Sequence, residues 1–473
     1  MKKFYITNSI PYVNASPHIG HALEFVQSDV LKRFHKDILK EETLLLCGSD
    51  ENALKNVQAA EKAEVPVQEF VDKNAKLFEG LADKLNIQFD VFQKGSDVSH
   101  HFASSQSLWN LCDKKGDIYK KEYRGLYCVG CETFYTKDEL NEKGECFEHL
   151  GKKLEEVAET NYFFKLSKYQ NQLIDLISSD KLSILPQSRK NEVLSFLKQP
   201  LQDISISRSN ERAKNWGVPV PGDDSQRIYV WFDALNIYQS GIGFGWDETQ
   251  YKKWWPADAH VIGKGISRFH AVYWPAFLLS AGLETPKQIL VHGYVTVEGE
   301  KMSKTTGNVV DPFSLIEKSG IDAIRYYLLR EIPTSGDGDF SEHRFKELYN
   351  ADLANGLGNL VARVTKLAES LELETRAPEK MSPECSRFIS EFEFGRALQF
   401  IWTEIDAVNT QINNAEPWKI TDEGRKKKFL TLTATQLLQI AFDLQPFLPQ
   451  TAELILKSLS GKVTKPTALF PRL

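Results

Sequence analysis

Lys3-Phe4-Tyr5-Ile6-Thr7-Asn8-Ser9 is an extended run; a turn through Pro11 follows, and Ser16-Pro17-His18-Ile19-Gly20-His21 heads a segment where Ile19, Leu23, Val26, Val30 and Phe34 recur at helical spacing. The reading is strand, loop, helix, with Ser16 as the expected N-cap and Pro17 at the first helical position, where a missing N–H costs nothing. His18 and His21 then lie three apart in the first turn, on one face. A second apolar run, Thr43-Leu44-Leu45-Leu46-Cys47-Gly48, reads as a buried strand ending at Ser49-Asp50, where open α/β sheets hold their ligand residues.

Working outward, helical patterns continue to Gly116-Asp117, where a cysteine-bearing stretch interrupts them and closes near Pro219-Val220-Pro221-Gly222-Asp223. Ile228-Tyr229-Val230-Trp231-Phe232 and Ile289-Leu290-Val291-His292 read as further buried strands. The expected body is an α/β nucleotide-binding sheet in two halves, 1–115 and 223–292, split by an insertion at 116–222. Residues 293–349 lead out of it. From Asn350 the pattern is wholly helical: Leu353, Leu357, Leu360, Val361, Val364 and Leu367 form one stripe and Leu430 to Leu448 another, so 350–473 reads as an all-α bundle.

Composition bounds what such a chain does. Its 473 residues suit roughly three domains, and a net charge of −6 rules out a whole-protein basic field as the means of attracting nucleic acid. Any such contact is local. The helical segment holds equal numbers of acidic and basic residues, and its one dense cluster, Arg425-Lys426-Lys427-Lys428, reads as a solvated helix start. The N-terminus lacks a signal-peptide h-region, and no apolar run is long enough for a membrane span. Six cysteines are too few for a disulfide scaffold in so long a chain, so a reducing cytoplasm is the expected compartment.

Two short blocks carry the chemistry. His18-Ile19-Gly20-His21 puts two imidazoles beside unpaired helix N–H groups, a setting that suits phosphate oxygens. Gly20 leaves room for a base or ribose. Far downstream, Lys301-Met302-Ser303-Lys304-Thr305 offers two ammonium groups able to neutralise charge on a leaving pyrophosphate. Each block alone also fits ordinary surface histidines or lysines. No G-x-G-x-x-G or G-x-x-x-x-G-K-[ST] occurs, which removes support for dinucleotide and P-loop readings.

Together the two blocks resemble the paired motifs of class I aminoacyl-tRNA synthetases, whose catalytic domain is a Rossmann-type fold split by a connective insertion. Within that class the chain resembles the methionyl-tRNA synthetase family along essentially its whole length. Ile10-Pro11-Tyr12, Trp231-Phe232-Asp233-Ala234 and Ile266-Ser267-Arg268-Phe269-His270 through Trp274 carry that likeness. It implies a methionine pocket of Ile10, Tyr12, Trp231, Ala234, Leu235, Tyr238, Ile266, His270 and Trp274, with Asp50 on the substrate ammonium. It also implies an ATP site of His18, Gly20, His21, His260, Gly263, Lys301, Ser303 and Lys304, with Mg²⁺ carried by the ATP. His18, His21, Lys301 and Lys304 are the expected catalytic groups. The chemistry is sound without the family: aromatic rings give sulfur a polarizable wall, and a carboxylate pairs with an ammonium. Taken singly, the same aromatics also read as core.

The chain departs from the family at several points. Asn52-Ala53 follow Asp50-Glu51 where most relatives have His-Gly, Leu235 stands where some have proline, and Thr305 replaces a commoner serine.

Cys128-Val129-Gly130-Cys131 and Cys146-Phe147-Glu148-His149 read as a zinc knuckle, whose three thiolates and one imidazole close a tetrahedral shell and make one Zn²⁺ structural. The residues alone leave a metal-free pair of turns open. The resemblance matches the form of the family with a single knuckle. Cys47, Cys112 and Cys385 read as buried hydrophobes.

At the helical end, Asn359 and Arg363 lie four apart and Pro417-Trp418 follows Asn413-Asn414. Such groups stack on and hydrogen-bond unpaired bases, or else cap a bundle core. The resemblance assigns them to the CAU anticodon of tRNA(Met), and the chain's ending at Phe470-Pro471-Arg472-Leu473 suggests a monomer. Two rivals stand beside this reading. A class I enzyme for leucine, isoleucine, valine or cysteine would need a large editing insertion or an open zinc site, and a silent tRNA-binding protein would not need both blocks complete.

Overall fold

The computed structural model describes residues 2–130, 133–135, 139–146, 148, 151–302, 307–369, 371–373, 375–376, 378–460, 462–464, 466 and 469–472, without the side chains of Thr133 and Lys301. Two compact units emerge. The first comprises Met1–Pro17, Thr43–Gly80 and Gln88–Val291; the second comprises His18–Glu42, Leu81–Ile87 and His292–Leu473.

The first unit is built on a six-stranded sheet: β1 (Lys3–Asn8), β2 (Glu42–Ser49), β3 (Val91–Lys94), β4 (Ser183–Leu185), β5 (Ala259–Gly263) and β6 (Gln288–His292), in the order β3-β2-β1-β5-β6-β4. β1 runs parallel to β5 with Ile6 opposite Ala259 and Thr7 opposite His260. β2 is parallel to β3 and β6 to β4. The strand order reverses between β1 and β5, the switch point at which such sheets bind ligands beyond their carboxyl ends. Leu45, Leu46 and Cys47 of β2 are fully buried, as a strand covered on both faces requires.

Two expectations need correction here. Ile228-Tyr229-Val230-Trp231-Phe232 is not a strand. Strand Asp223–Ile228 pairs antiparallel with Ser207–Ser209 outside the parallel sheet, and a helix runs from Val230 to Leu235. A short, fully buried apolar run has no polar alternation to separate strand from helix. The parallel sheet also takes β4 from inside the span read as the insertion. That span also contains an antiparallel sheet in which Ile118–Cys128 pairs with Glu155–Phe164, and the helices Gln170–Ser178 and Gln187–Leu197.

The second unit holds α1 (Ile19–Arg33) and the helical bundle. Helix α1 begins two residues later than expected, with His18 as its N-cap in place of Ser16. The His18 ring accepts from Gly20 N–H, which a serine two residues earlier could not reach. Arg325 has no solvent exposure; it holds Asp29 of α1 at 2.7 Å and donates to the Pro446 and Phe447 carbonyls. A small three-stranded sheet sets Glu300–Lys301 against Val295–Val297. Their connection is Glu298-Gly299, both with positive φ, the tight hairpin turn that favours glycine.

In the bundle, Leu353, Leu357, Leu360, Val361 and Val364 are buried along the turn Tyr349–Gly358 and helix Asn359–Ala368. Helix Glu423–Leu444 carries the second stripe. Its first turn exposes Arg425, Lys427 and Lys428 behind the Asp422 cap. Among the described residues no helix is long and apolar enough to cross a membrane.

Candidate active site

At the head of α1 the two imidazoles cap the helix reciprocally. Gly20 N–H donates to His18 Nδ1 and His18 N–H donates to His21 Nδ1, each at 3.1 Å. A ring nitrogen that accepts carries no proton, so both neutral rings bear their proton on Nε2. The backbone thus sets the tautomer. The rings lie 3.9 Å apart. Burial, then the His18 and His292 rings, hold the His21 imidazole well below the ordinary histidine pKa. No acidic side chain occupies the first turn of α1, so the positive dipole end is not neutralised locally.

A side chain at position 20 would crowd this arrangement. A Cβ there would sit 3.0 Å from His18 Cε1 and 3.7 Å from Met302 Cε. The second distance brings the two sequence blocks together, because Met302 lies between Lys301 and Ser303. Ile19 N–H also donates to Val310 O at 3.3 Å, and Glu24 on the next turn of α1 meets His292 at 2.8 Å. The Lys301 backbone is held by the hairpin; its side chain, and Ser303, Lys304 and Thr305, lie outside the described residues.

In the first unit Ile10, Asp50, Trp231, Ala234, Leu235, Tyr238, Ile266 and His270 line one small cavity of about 10 Å³. Asp50 comes from the end of β2, where its N–H is fixed by Pro11 O at 2.9 Å. Trp231, Ala234 and Leu235 lie on α2 (Val230–Leu235). A π-turn, Phe269–Tyr273, presents His270, the kind of widened helix that often marks functional sites.

His270 Nδ1 lies 3.0 Å from Ile266 O and therefore donates, leaving Nε2 to accept from Tyr238 OH at 2.7 Å. Trp231 stacks on Phe269 with centroids 3.7 Å apart, and Tyr12 meets Trp231 edge-on at 6.2 Å. Trp274 is fully buried against Trp255. Gly263 closes β5. His260 is fully buried, beside Thr7 through Nδ1 and packed on Tyr238 at 4.6 Å, behind the pocket rather than on an open face. Burial and the His270 ring hold its pKa well below the ordinary value.

Three features went unread in the sequence. Phe269 sits inside a quoted word yet received no role, and the Lys55 ammonium lies 2.9 Å over the Tyr12 ring. Asn52, Asp233, His101 and Ser105 form a buried polar cluster. Its aspartate stood in a quoted word and Asn52 was noted only as a departure from the family, and nothing in spacing links residues 52, 101 and 233.

Elsewhere, the Cys128 and Cys146 sulfurs are 3.3 Å apart and buried, so half of the proposed metal set converges. Cys131 and His149 lie outside the described residues. None of the cysteines described is in a disulfide. In the bundle, Arg363 Nη2 donates to Asn413 Oδ1 at 2.7 Å, and Asn359 is exposed on the same helix. Pro417 is buried while Trp418 is 51% exposed, so the indole does not cap the bundle core.

Comparison with known proteins gives a consistent result. The family model for tRNA synthetases class I (M) matches residues 4–365. The chain is 39% identical to the methionine–tRNA ligase of Brucella suis, over 98% of this chain and 93% of that one. It is 38% identical to that of Thermotoga maritima, over 97% and 75%. A solved structure of Mycobacterium tuberculosis methionyl-tRNA synthetase in complex with methionyl-adenylate superimposes with a TM-score of 0.91 at 36% identity, covering all of both chains. The apo form of that enzyme gives 0.82 at 33% identity, covering 100% of this chain and 98% of that one.

Proposed function

The chain belongs to the methionine–tRNA ligases of class I, enzymes that activate L-methionine with ATP and transfer it to tRNA, and from that premise we propose what its own residues do. The methionine carboxylate attacks the α-phosphate of ATP in line; the new P–O bond forms as the bond to pyrophosphate breaks. A terminal ribose hydroxyl of tRNA then attacks the methionyl carbonyl and AMP departs. No covalent enzyme intermediate is needed, so catalysis is positioning and electrostatics. Mg²⁺ arrives with ATP and neutralises phosphate charge.

Asp50 pairs the methionine ammonium. Ile10, Tyr12, Trp231, Ala234, Leu235, Ile266 and Trp274 enclose the thioether, and the Tyr238–His270 pair forms the polar end. What supports this assignment most is the single pocket in which eight of these side chains meet. The Nε2–H groups of His18 and His21 donate to phosphate oxygens as charge develops, with Lys301 and Lys304 on the leaving pyrophosphate. Gly20, Gly263 and Ser303 border the nucleotide, and His260 supports the Tyr238–His270 pair from behind.

Cys128, Cys131, Cys146 and His149 would hold one Zn²⁺, which would brace the insertion; the convergence of the Cys128 and Cys146 sulfurs supports this. Asn359, Arg363, Pro417 and Trp418 read the CAU anticodon, supported by an exposed indole and by a guanidinium held by Asn413. The reaction belongs to the cytoplasm, in keeping with cysteines outside disulfides. The enzyme is read as a monomer, which light scattering on the purified chain tests.

The decisive experiment is Lys301→Ala in methionine-dependent ATP–pyrophosphate exchange. It should lower kcat about a hundredfold and barely move the methionine KM. An unchanged kcat refutes the lysine's role.

A further inference from the structure

We infer that Asn52 is a positioning residue for methionine binding: its side-chain amide ties the turn that carries Asp50 to the helix that carries Trp231, Ala234 and Leu235. The inference rests on the assignment of those four residues to the methionine pocket. Asn52 Nδ2 donates to Gly95 O at 2.7 Å and to Asp233 Oδ2 at 2.6 Å, which uses both of its protons. Its Oδ1 is buried with no partner among the described residues, a cost the position accepts in exchange for two donors.

Asp233 stands between Trp231 and Ala234 on α2 and is 1% exposed. Its other oxygen accepts from Ser105 Oγ and His101 Nε2, both at 2.8 Å. His101 has no exposure and is braced on its far side by Ser240 Oγ at 2.8 Å. Among the described residues, Oδ2 has Asn52 as its only donor. Through Asp233 the pocket helix is therefore tied to Ser105 and His101 by one carboxylate oxygen and to Asn52 by the other.

The turn itself is rigid. Asp50 O accepts from Asn56 Nδ2 and Glu51 O from Trp216 Nε1, each at 2.8 Å. A shift of α2 would consequently change the distance between Asp50 and the thioether wall instead of being absorbed by the turn. What the position needs is an N–H donor. A carboxylate of the same size would set two acceptors against each other.

The test compares Asn52→Asp, Asn52→Ala and Asn52→His in methionine-dependent pyrophosphate exchange on the full chain, with Asp50→Asn as control. Asn52→Asp should raise the methionine KM at least tenfold, leave the ATP KM within twofold and kcat within threefold, and exceed Asn52→Ala in effect. Asn52→His, which offers an imidazole N–H, should stay within threefold of the parent. The inference is overturned if Asn52→Asp leaves the methionine KM unchanged, if both KM values rise in parallel, or if Asn52→His is as impaired as Asn52→Asp. A rise for Asp50→Asn without one for Asn52→Asp defeats this inference alone. No rise for Asp50→Asn defeats the pocket assignment beneath it.

Discussion

Replacing Gly20 by alanine adds one methyl group at the point where the helix cap, the imidazole pair and the Met302 side chain meet. The new Cβ would lie 3.0 Å from His18 Cε1 and 3.1 Å from Nδ1, closer than carbon contacts ordinarily allow. The ring must move by a few tenths of an ångström, because the helix backbone cannot. That movement weakens the 3.1 Å bond by which the ring accepts from Gly20 N–H, a cap worth about 1 kcal/mol. Alanine returns about 0.5–1 kcal/mol through its better helix propensity. Net stability should change little, with Tm moving by about 2 °C or less.

Catalysis should not be spared. A well-placed donor to developing phosphate charge is worth about 3 kcal/mol, and displacing the His18 Nε2–H should forfeit enough of that to lower kcat roughly 10- to 100-fold. Pyrophosphate exchange and a thermal melt on the same preparation read the two effects separately. A kcat within twofold of the parent refutes the role given to His18. So does a loss that accompanies a Tm drop of more than about 5 °C, which would mark a folding defect.

Three further outcomes follow from particular groups. The His21 ring is held well below the ordinary histidine pKa, first by burial; the unfolded chain takes up a proton below about pH 6.5 that the folded chain does not, so stability is constant above that pH and falls below it, by at most about 1.4 kcal/mol per pH unit. His21→Asn should flatten that acid-side decline in urea midpoints between pH 7.5 and pH 5, and an unchanged slope contradicts the account; His260, whose pKa is shifted the same way, is present in both proteins and cancels. Elemental analysis should find one zinc per chain, lost in Cys146→Ser together with several degrees of Tm; a zinc-free parent sinks the knuckle. Trp418→Ala should raise the tRNA KM in charging about tenfold, the value of one stacked base, with the methionine KM in exchange as the internal reference; an unaltered tRNA KM removes the indole from the anticodon.

Local signals were enough for the strands β1 and β2 and the helical end, and they singled out the two polar blocks, because each is written in contiguous residues: an apolar run, a 3.6-residue period, an imidazole pair three apart. The same local reading placed the α1 cap on Ser16, because sequence preference for hydroxyl caps cannot foresee an imidazole turning back on its own helix. It made a strand of Ile228 to Phe232, because buried strands and buried helices share an apolar composition. The side chains around Asp50 were reachable only through family resemblance, since no period connects β2, α2 and a π-turn.

Sequence alone therefore pointed to the chemistry to look for: imidazoles and ammonium groups suited to phosphate at two separated blocks, with aromatics for a thioether and a carboxylate for an ammonium implied by the family resemblance. Tertiary structure decided how those groups are held. The capping bonds choose the protonated nitrogen of His18 and His21, the packing of Met302 against the Gly20 position joins blocks far apart in the chain, and the buried Asp233 carboxylate makes Asn52 matter. Each of these depends on distances of about 3 Å between residues remote in sequence or on the direction of a side chain, and neither is encoded in the order of residue types along the chain.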